Sequence, residues 1–144
     1  MRELLCLLFT VTIVSGCQTA DEIAATLPSA EVAGPVASAI AGDMATKFAE
    51  QIGPADVTAI KMDKDGSEYA NALQAALKGW GYNVITDGKV EKEEKAIELT
   101  YAIDDTEGEV LARLTTPSIA LGRVYTPTTT GATPSSPLSV MQLN

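Results

Sequence analysis

The chain has 144 residues and carries 19 Asp and Glu against 10 Lys and Arg, a formal net charge of -9. It has no His, which excludes Ser-His-Asp and Cys-His catalytic groups and His-ligated metal. So acidic a chain is also a poor partner for nucleic-acid phosphates, and with 46% hydrophobic but only 5% aromatic residues it should form one domain around small aliphatic side chains.

Met1-Arg2-Glu3 is followed by an apolar run from Leu4 to Val14, broken only by Thr10 and Thr12. The run is too short to cross a bilayer, which takes about 20 helical residues. It fits the apolar segment of a secretory signal, although Glu3 weakens the positive start. It ends in Val14-Ser15-Gly16-Cys17, which resembles the lipobox of bacterial lipoproteins. That resemblance implies a lipid on the Cys17 thiol, cleavage just before it, and acylation of the new amino terminus. The small Ser15 and Gly16 suit close approach of the backbone to a peptidase. Cys6 would leave with a signal peptide at residues 1–16, so the mature chain would hold neither a free thiol nor a disulfide. Residue 18 is Gln. Among such lipoproteins Asp there marks retention in the inner membrane, so the expected location is the outer membrane, lipid-anchored and facing the periplasm.

Residues 17–34 read as a lipidated tether rich in Ala, Thr, Ser and Pro. As a coil it would average about 23 Å end to end. A globular domain is expected over residues 35–125. Pro35 opens a helix in which Val36, Ile40, Met44 and Phe48 recur at helical spacing, with Asp43, Lys47 and Glu50 off that stripe. Gly53-Pro54 ends it after about four turns. Val57 to Met62 reads as a strand. Ser67 caps a second helix carrying Tyr69, Leu73, Leu77 and Trp80 on one face, with Trp80 expected in the core. Gly79 and Gly81 close that helix. Strands follow at Tyr82 to Thr86, Ala96 to Ile103, Val110 to Leu114 and Ile119 to Tyr125, each with alternating burial. The expected fold class is α+β: two helices on one face of a small, largely antiparallel sheet of four to five strands.

From Thr126 charge disappears. Residues 126–144 read as an extended Pro/Thr/Ser-rich tail. Leu138 and Val140 have the spacing of a strand that adds to a sheet edge, on another protein or on the domain's own last strand. Arg123 beside Tyr125 offers a further exposed contact pair, or else an ordinary edge-strand pair.

No motif supports catalysis, a cofactor or a metal. Asp63-Lys64-Asp65-Gly66 hints at a calcium loop, but the EF-hand register puts Lys61 and Ala72 where oxygen ligands belong. Gly79-Trp80-Gly81-Tyr82 lacks the third glycine of a dinucleotide loop and follows a helix. Asp104-Asp105-Thr106-Glu107-Gly108-Glu109 gathers carboxylates at a turn, where solvation explains them without acid–base chemistry.

Several segments together resemble the TrbH family of conjugal transfer lipoproteins. They are the lipobox, Ala37-Ser38-Ala39-Ile40-Ala41-Gly42-Asp43-Met44 and Leu73-Gln74-Ala75-Ala76-Leu77-Lys78-Gly79-Trp80-Gly81-Tyr82. Val110-Leu111-Ala112-Arg113-Leu114, Gly122-Arg123-Val124-Tyr125 and Gly131 to Val140 add to them. The resemblance spans nearly the whole chain. It implies a structural subunit of a conjugative type IV secretion (mating-pair formation) channel, with other outer-membrane core subunits as partners and no direct contact with nucleic acid. The alternative is a periplasmic lipoprotein that carries a small or lipidic ligand in an apolar cavity.

Overall fold

A computed structural model describes residues 32, 34–53, 58–89 and 95–144. The expected signal peptide, Cys17 and nearly all of the expected tether lie outside the described residues.

Helix α1 spans Gly34–Ile52. Its 19 residues make it about a turn longer than the spacing of its apolar stripe suggested. Pro35 sits in the first turn, where no intrahelical donor is needed. Val36, Ala37, Ile40, Ala41, Met44, Ala45 and Phe48 form its buried stripe. The helix stops at Gly53, whose φ of 94° suits glycine. Strand β1, Ala59–Met62, leads into helix α2, Glu68–Gly79. The Ser67 side chain accepts a hydrogen bond from the Ala70 amide at 3.1 Å, capping α2 as its sequence implied. At the other end the Gly81 amide donates to the Lys78 carbonyl and the Tyr82 amide to that of Leu77. Gly81, at φ 96°, makes this a Schellman closure. Trp80 is the C-cap of α2 and is 49% exposed, not the core residue expected, because the closure turns it outward past the last packed turn.

The remaining strands are β2 (Asn83–Ile85), β3 (Ala96–Thr106), β4 (Glu109–Thr115), β5 (Ile119–Pro127), β6 (Ala132–Pro134) and β7 (Ser139–Gln142). They form one sheet in the order β2-β1-β3-β4-β5-β6, with β7 also on β5. The α+β class holds, with the two helices on one face of the sheet, but the strands among the described residues number seven. The sheet is mixed: β1 runs parallel to both β2 and β3. α2 accounts for the first of these, since it is the crossover helix between β1 and β2; β3 then lies beyond β1, on the side away from β2. From β3 onward each pairing is antiparallel.

The two extra strands come from the tail. β6 pairs with the end of β5, from Tyr125↔Pro134 to Pro127↔Ala132. β7 pairs with its start, from Ile119↔Gln142 to Gly122↔Ser139. Between them Ser135 to Leu138 lie opposite only Arg123 and Val124, so the tail bulges once as it runs back along β5. Of the two places considered for this segment, the structure shows the domain's own last strand. At the β5–β6 turn Gly131 approaches α1 so closely that a Cβ would lie 3.3 Å from the Ala39 Cβ.

The core lies between helices and sheet. Ile40, Met44, Phe48, Leu73 and Leu77 from the helices meet Ile60, Met62, Leu99, Ile103, Leu114 and Leu121 from the strands. Leu77 is fully buried. Leu77→Ala should therefore destabilise the fold by about 2–5 kcal/mol, measured by urea denaturation with an unchanged m-value.

Candidate functional site

The inward-facing positions of β5 are Ile119, Leu121, Arg123 and Tyr125. Three of them are buried apolar or aromatic residues; the fourth is a guanidinium. Arg123 stands opposite Ala112 of β4, whose methyl side chain leaves space for it. Its Nη1 donates to Asp43 Oδ2 of α1 at 2.9 Å. Its Nε donates to the Ser136 carbonyl of the tail at 3.1 Å. The Tyr125 hydroxyl donates to the same Asp43 oxygen at 2.6 Å. The Ser136 hydroxyl accepts from the Val124 amide, and the Ser135 amide donates to the Val124 carbonyl, both at 2.9 Å. One carboxylate and one guanidinium thus join α1, β5 and the tail. The pair is mostly sheltered, with side-chain exposures of 28% for Asp43 and 19% for Arg123. Charge-assisted hydrogen bonds in such surroundings are stronger than neutral ones.

Burial, followed by the Asp43 carboxylate it faces, pushes the Tyr125 phenol far above its usual range, against a smaller pull downward from Arg123. Burial does the same to Tyr69 of α2. The Tyr69 ring packs against Tyr101 with centroids 5.8 Å apart. Its hydroxyl is buried and has no hydrogen-bond partner among the described residues.

The sequence-selected contact residues separate into two kinds. Arg123 and Tyr125 do meet, but inside the fold: Tyr125 is 1% exposed, so this pair presents no outer contact surface. The reason is β5's position between β4 and the returning tail, which leaves neither residue at an edge. Leu138 is half-buried against the core. Val140, opposite Leu121, is 41% exposed. Cys17 lies outside the described residues. Asp43 was missed, being read as part of the solvated face of α1. The available signal was Arg123 itself, a charge in the inward phase of an otherwise apolar strand, which requires an acid across the core.

The acidic loops serve the fold. Asp65 Oδ1 accepts from the Ser67 amide at 2.9 Å. Burial would raise the Asp65 pKa, but hydrogen bonds from Ser67 outweigh it and hold the carboxyl below its usual value. Asp104 pairs with Arg113 at 2.6 Å on the exposed sheet face. Among the described residues no three His, Cys, Asp or Glu side chains are grouped to hold a metal ion. A groove of about 300 Å³ opens beside Asp63, Asp65, Leu99 and Tyr101. A polar one of about 520 Å³ opens along β2.

The profile of the family described as "Conjugal transfer protein TrbH" matches residues 18–144. The chain is also 59% identical, over 148 aligned positions covering 100% of both chains, to a "Probable conjugal transfer protein TrbH" of Sinorhizobium fredii (strain NBRC 101917 / NGR234). It belongs to the TrbH family. Membership carries with it a role in plasmid conjugation. No solved structure matches the chain. In this TrbH-family fold the Asp43–Arg123–Tyr125 cluster joins α1, β5 and the tail.

Tyr125→Phe removes one hydrogen bond to a charged group and should cost about 1.5–3 kcal/mol at neutral pH. Because the folded-state phenol resists ionisation, its contribution is full below about pH 10, the value for an unfolded tyrosine, and is lost as pH rises further. Urea midpoints measured in steps through that range should fall for the wild type and fall less for Tyr125→Phe.

Proposed function

We propose that this TrbH-family chain is a lipid-anchored outer-membrane subunit of a conjugative type IV secretion channel, with a structural role in its assembly. The observation that carries the reading is Val14-Ser15-Gly16-Cys17 at the end of a short apolar leader, on a chain whose full length aligns with a conjugal transfer protein. The family match begins at residue 18, directly after Cys17. A diacylglycerol and a third acyl chain would bury many methylenes at about 0.8 kcal/mol each, so anchoring would be stable. The domain would then stand off the membrane on residues 17–34 and meet the other core subunits of the channel. The net charge of -9 argues against direct contact with the transferred DNA. The polar cluster, built to fix one chain arrangement, suits a component that offers a rigid surface.

Cys17→Ser tests this directly. The variant should keep its leader, lose labelling by a fatty-acid probe, and leave the outer-membrane fraction. Conjugation frequency should fall with it. Unchanged probe labelling would contradict the anchor, and a donor strain lacking the gene that still transfers its plasmid at the normal frequency would contradict the channel role.

A further inference from the structure

β7 lies at the β5 end of the sheet, paired with β5 on one side and with no strand on the other among the described residues. All of its residues are exposed. The ladder fixes which main-chain groups face outward. The Leu143 amide donates to the Ser118 carbonyl at 2.9 Å, one step past the Ile119↔Gln142 pair. Ser139, Met141 and Leu143 therefore turn their main-chain groups to β5. Val140 and Gln142 turn theirs to the open side. The side chains alternate between the two faces. Val140 stands opposite buried Leu121 on the helix side of the sheet, and Met141 opposite Ala120 on the outer side.

Exposed sheet edges are commonly guarded by lysine, proline or a bulge. The opposite edge, β2, follows that rule, with Lys78 and Lys89 beside it. β7 has none of these within Ser139–Gln142, since Pro137 and the bulge both precede it. No charged side chain occurs from Val124 to Asn144, on a chain of net charge -9. This is therefore the side on which two copies meet with least charge repulsion. Val140 and Met141 are also two of the three large apolar side chains exposed among the described residues, Trp80 being the third.

We propose that two copies of this chain pair through β7, antiparallel, about a two-fold axis at Met141. In that register Val140 of each copy exchanges main-chain hydrogen bonds with Gln142 of the other, which uses the outward-facing groups of the strand. The two Met141 residues then form a non-hydrogen-bonded pair, the kind in which facing side chains come closest, and each covers the other's exposed apolar chain. A centre at Val140 would instead run the pairing into Pro137 and the bulge, where Ser136 is already bonded to Arg123 and Val124. An uncharged edge has nothing to select a charged partner segment, whereas in this register it complements itself. β7 is short, so the contact is weak and reversible, of the class that buries less than about 1,200 Å². Such pairing goes beyond the channel reading and does not depend on it.

The test introduces single cysteines into the full-length chain in cells and oxidises them with copper phenanthroline. Met141→Cys should give a disulfide-linked species of twice the chain's mass. Ser139→Cys, which lies opposite Leu143 of the second copy in this register, should give about tenfold less. The wild-type chain, with Cys6 and Cys17, sets the background. Adding Val140→Pro to Met141→Cys removes an outward amide and leaves the β5 ladder whole. It should cut the crosslink about tenfold while the Leu143 amide stays protected from exchange. Should the proline variant fail to fold, the wild-type chain decides, because its Val140 and Gln142 amides should exchange about tenfold more slowly at high than at low protein concentration. Three results overturn the proposal: crosslinking of Met141→Cys no better than that of Ser139→Cys or the wild type, an adduct only with another protein, or exchange at Val140 and Gln142 that ignores concentration. Plasmid transfer is not among these readouts, so their failure leaves the channel reading untouched.

Discussion

A guanidinium on the buried face of a strand must meet acceptors there, or the strand cannot pack. Arg123 imposes that condition on β5, and three parts of the chain answer it. Asp43 reaches across from α1 and Ser136 supplies a carbonyl from the returning tail. Tyr125 shares the same carboxylate oxygen. Apolar contacts alone would let the tail slide along β5, since register in a flat, weakly patterned strand is poorly specified. The Arg123–Ser136 contact and the paired bonds at Val124 fix where the tail bulges and hence where β7 lies.

That arrangement explains why a charge-free, Pro-rich segment can be ordered. Four-residue β7 is exposed along its whole length and buries little surface. Its order comes from main-chain pairing with β5, from Leu138 on the core, and from the close seat of Gly131 on α1. The tail in turn covers the β5 edge, beneath which Ile119, Leu121 and Tyr125 are buried.

Much of the fold was legible because its signals are local. The Ser67 cap, the Gly81 closure and the alternation through β3, β4 and β5 each lie within a few residues. What was not legible is long-range. Parallel pairing of β1 with β3 joins Ala59 to Ala96 and has no local mark. Asp43 and Arg123 are 80 residues apart. Asp43 taken alone looks like an ordinary surface charge, and the inward phase of Arg123 calls for an acid without saying which one. The tail lacks an apolar pattern since β6 and β7 are short and hold on by main-chain pairing with little side-chain burial, so composition marked it as a separate extended tail. Trp80 was placed by helical spacing, which ignores that the helix ends one residue earlier.

The Asp43–Arg123 pair holds the tail to the rest of the domain. Amide hydrogen exchange on Asp43→Ala measures it most directly. The Ser135 and Leu143 amides, which donate to Val124 and Ser118, should lose protection, while Leu73 and Leu77 amides in α2 keep theirs. Undiminished protection of Ser135 and Leu143 in the variant would contradict the account.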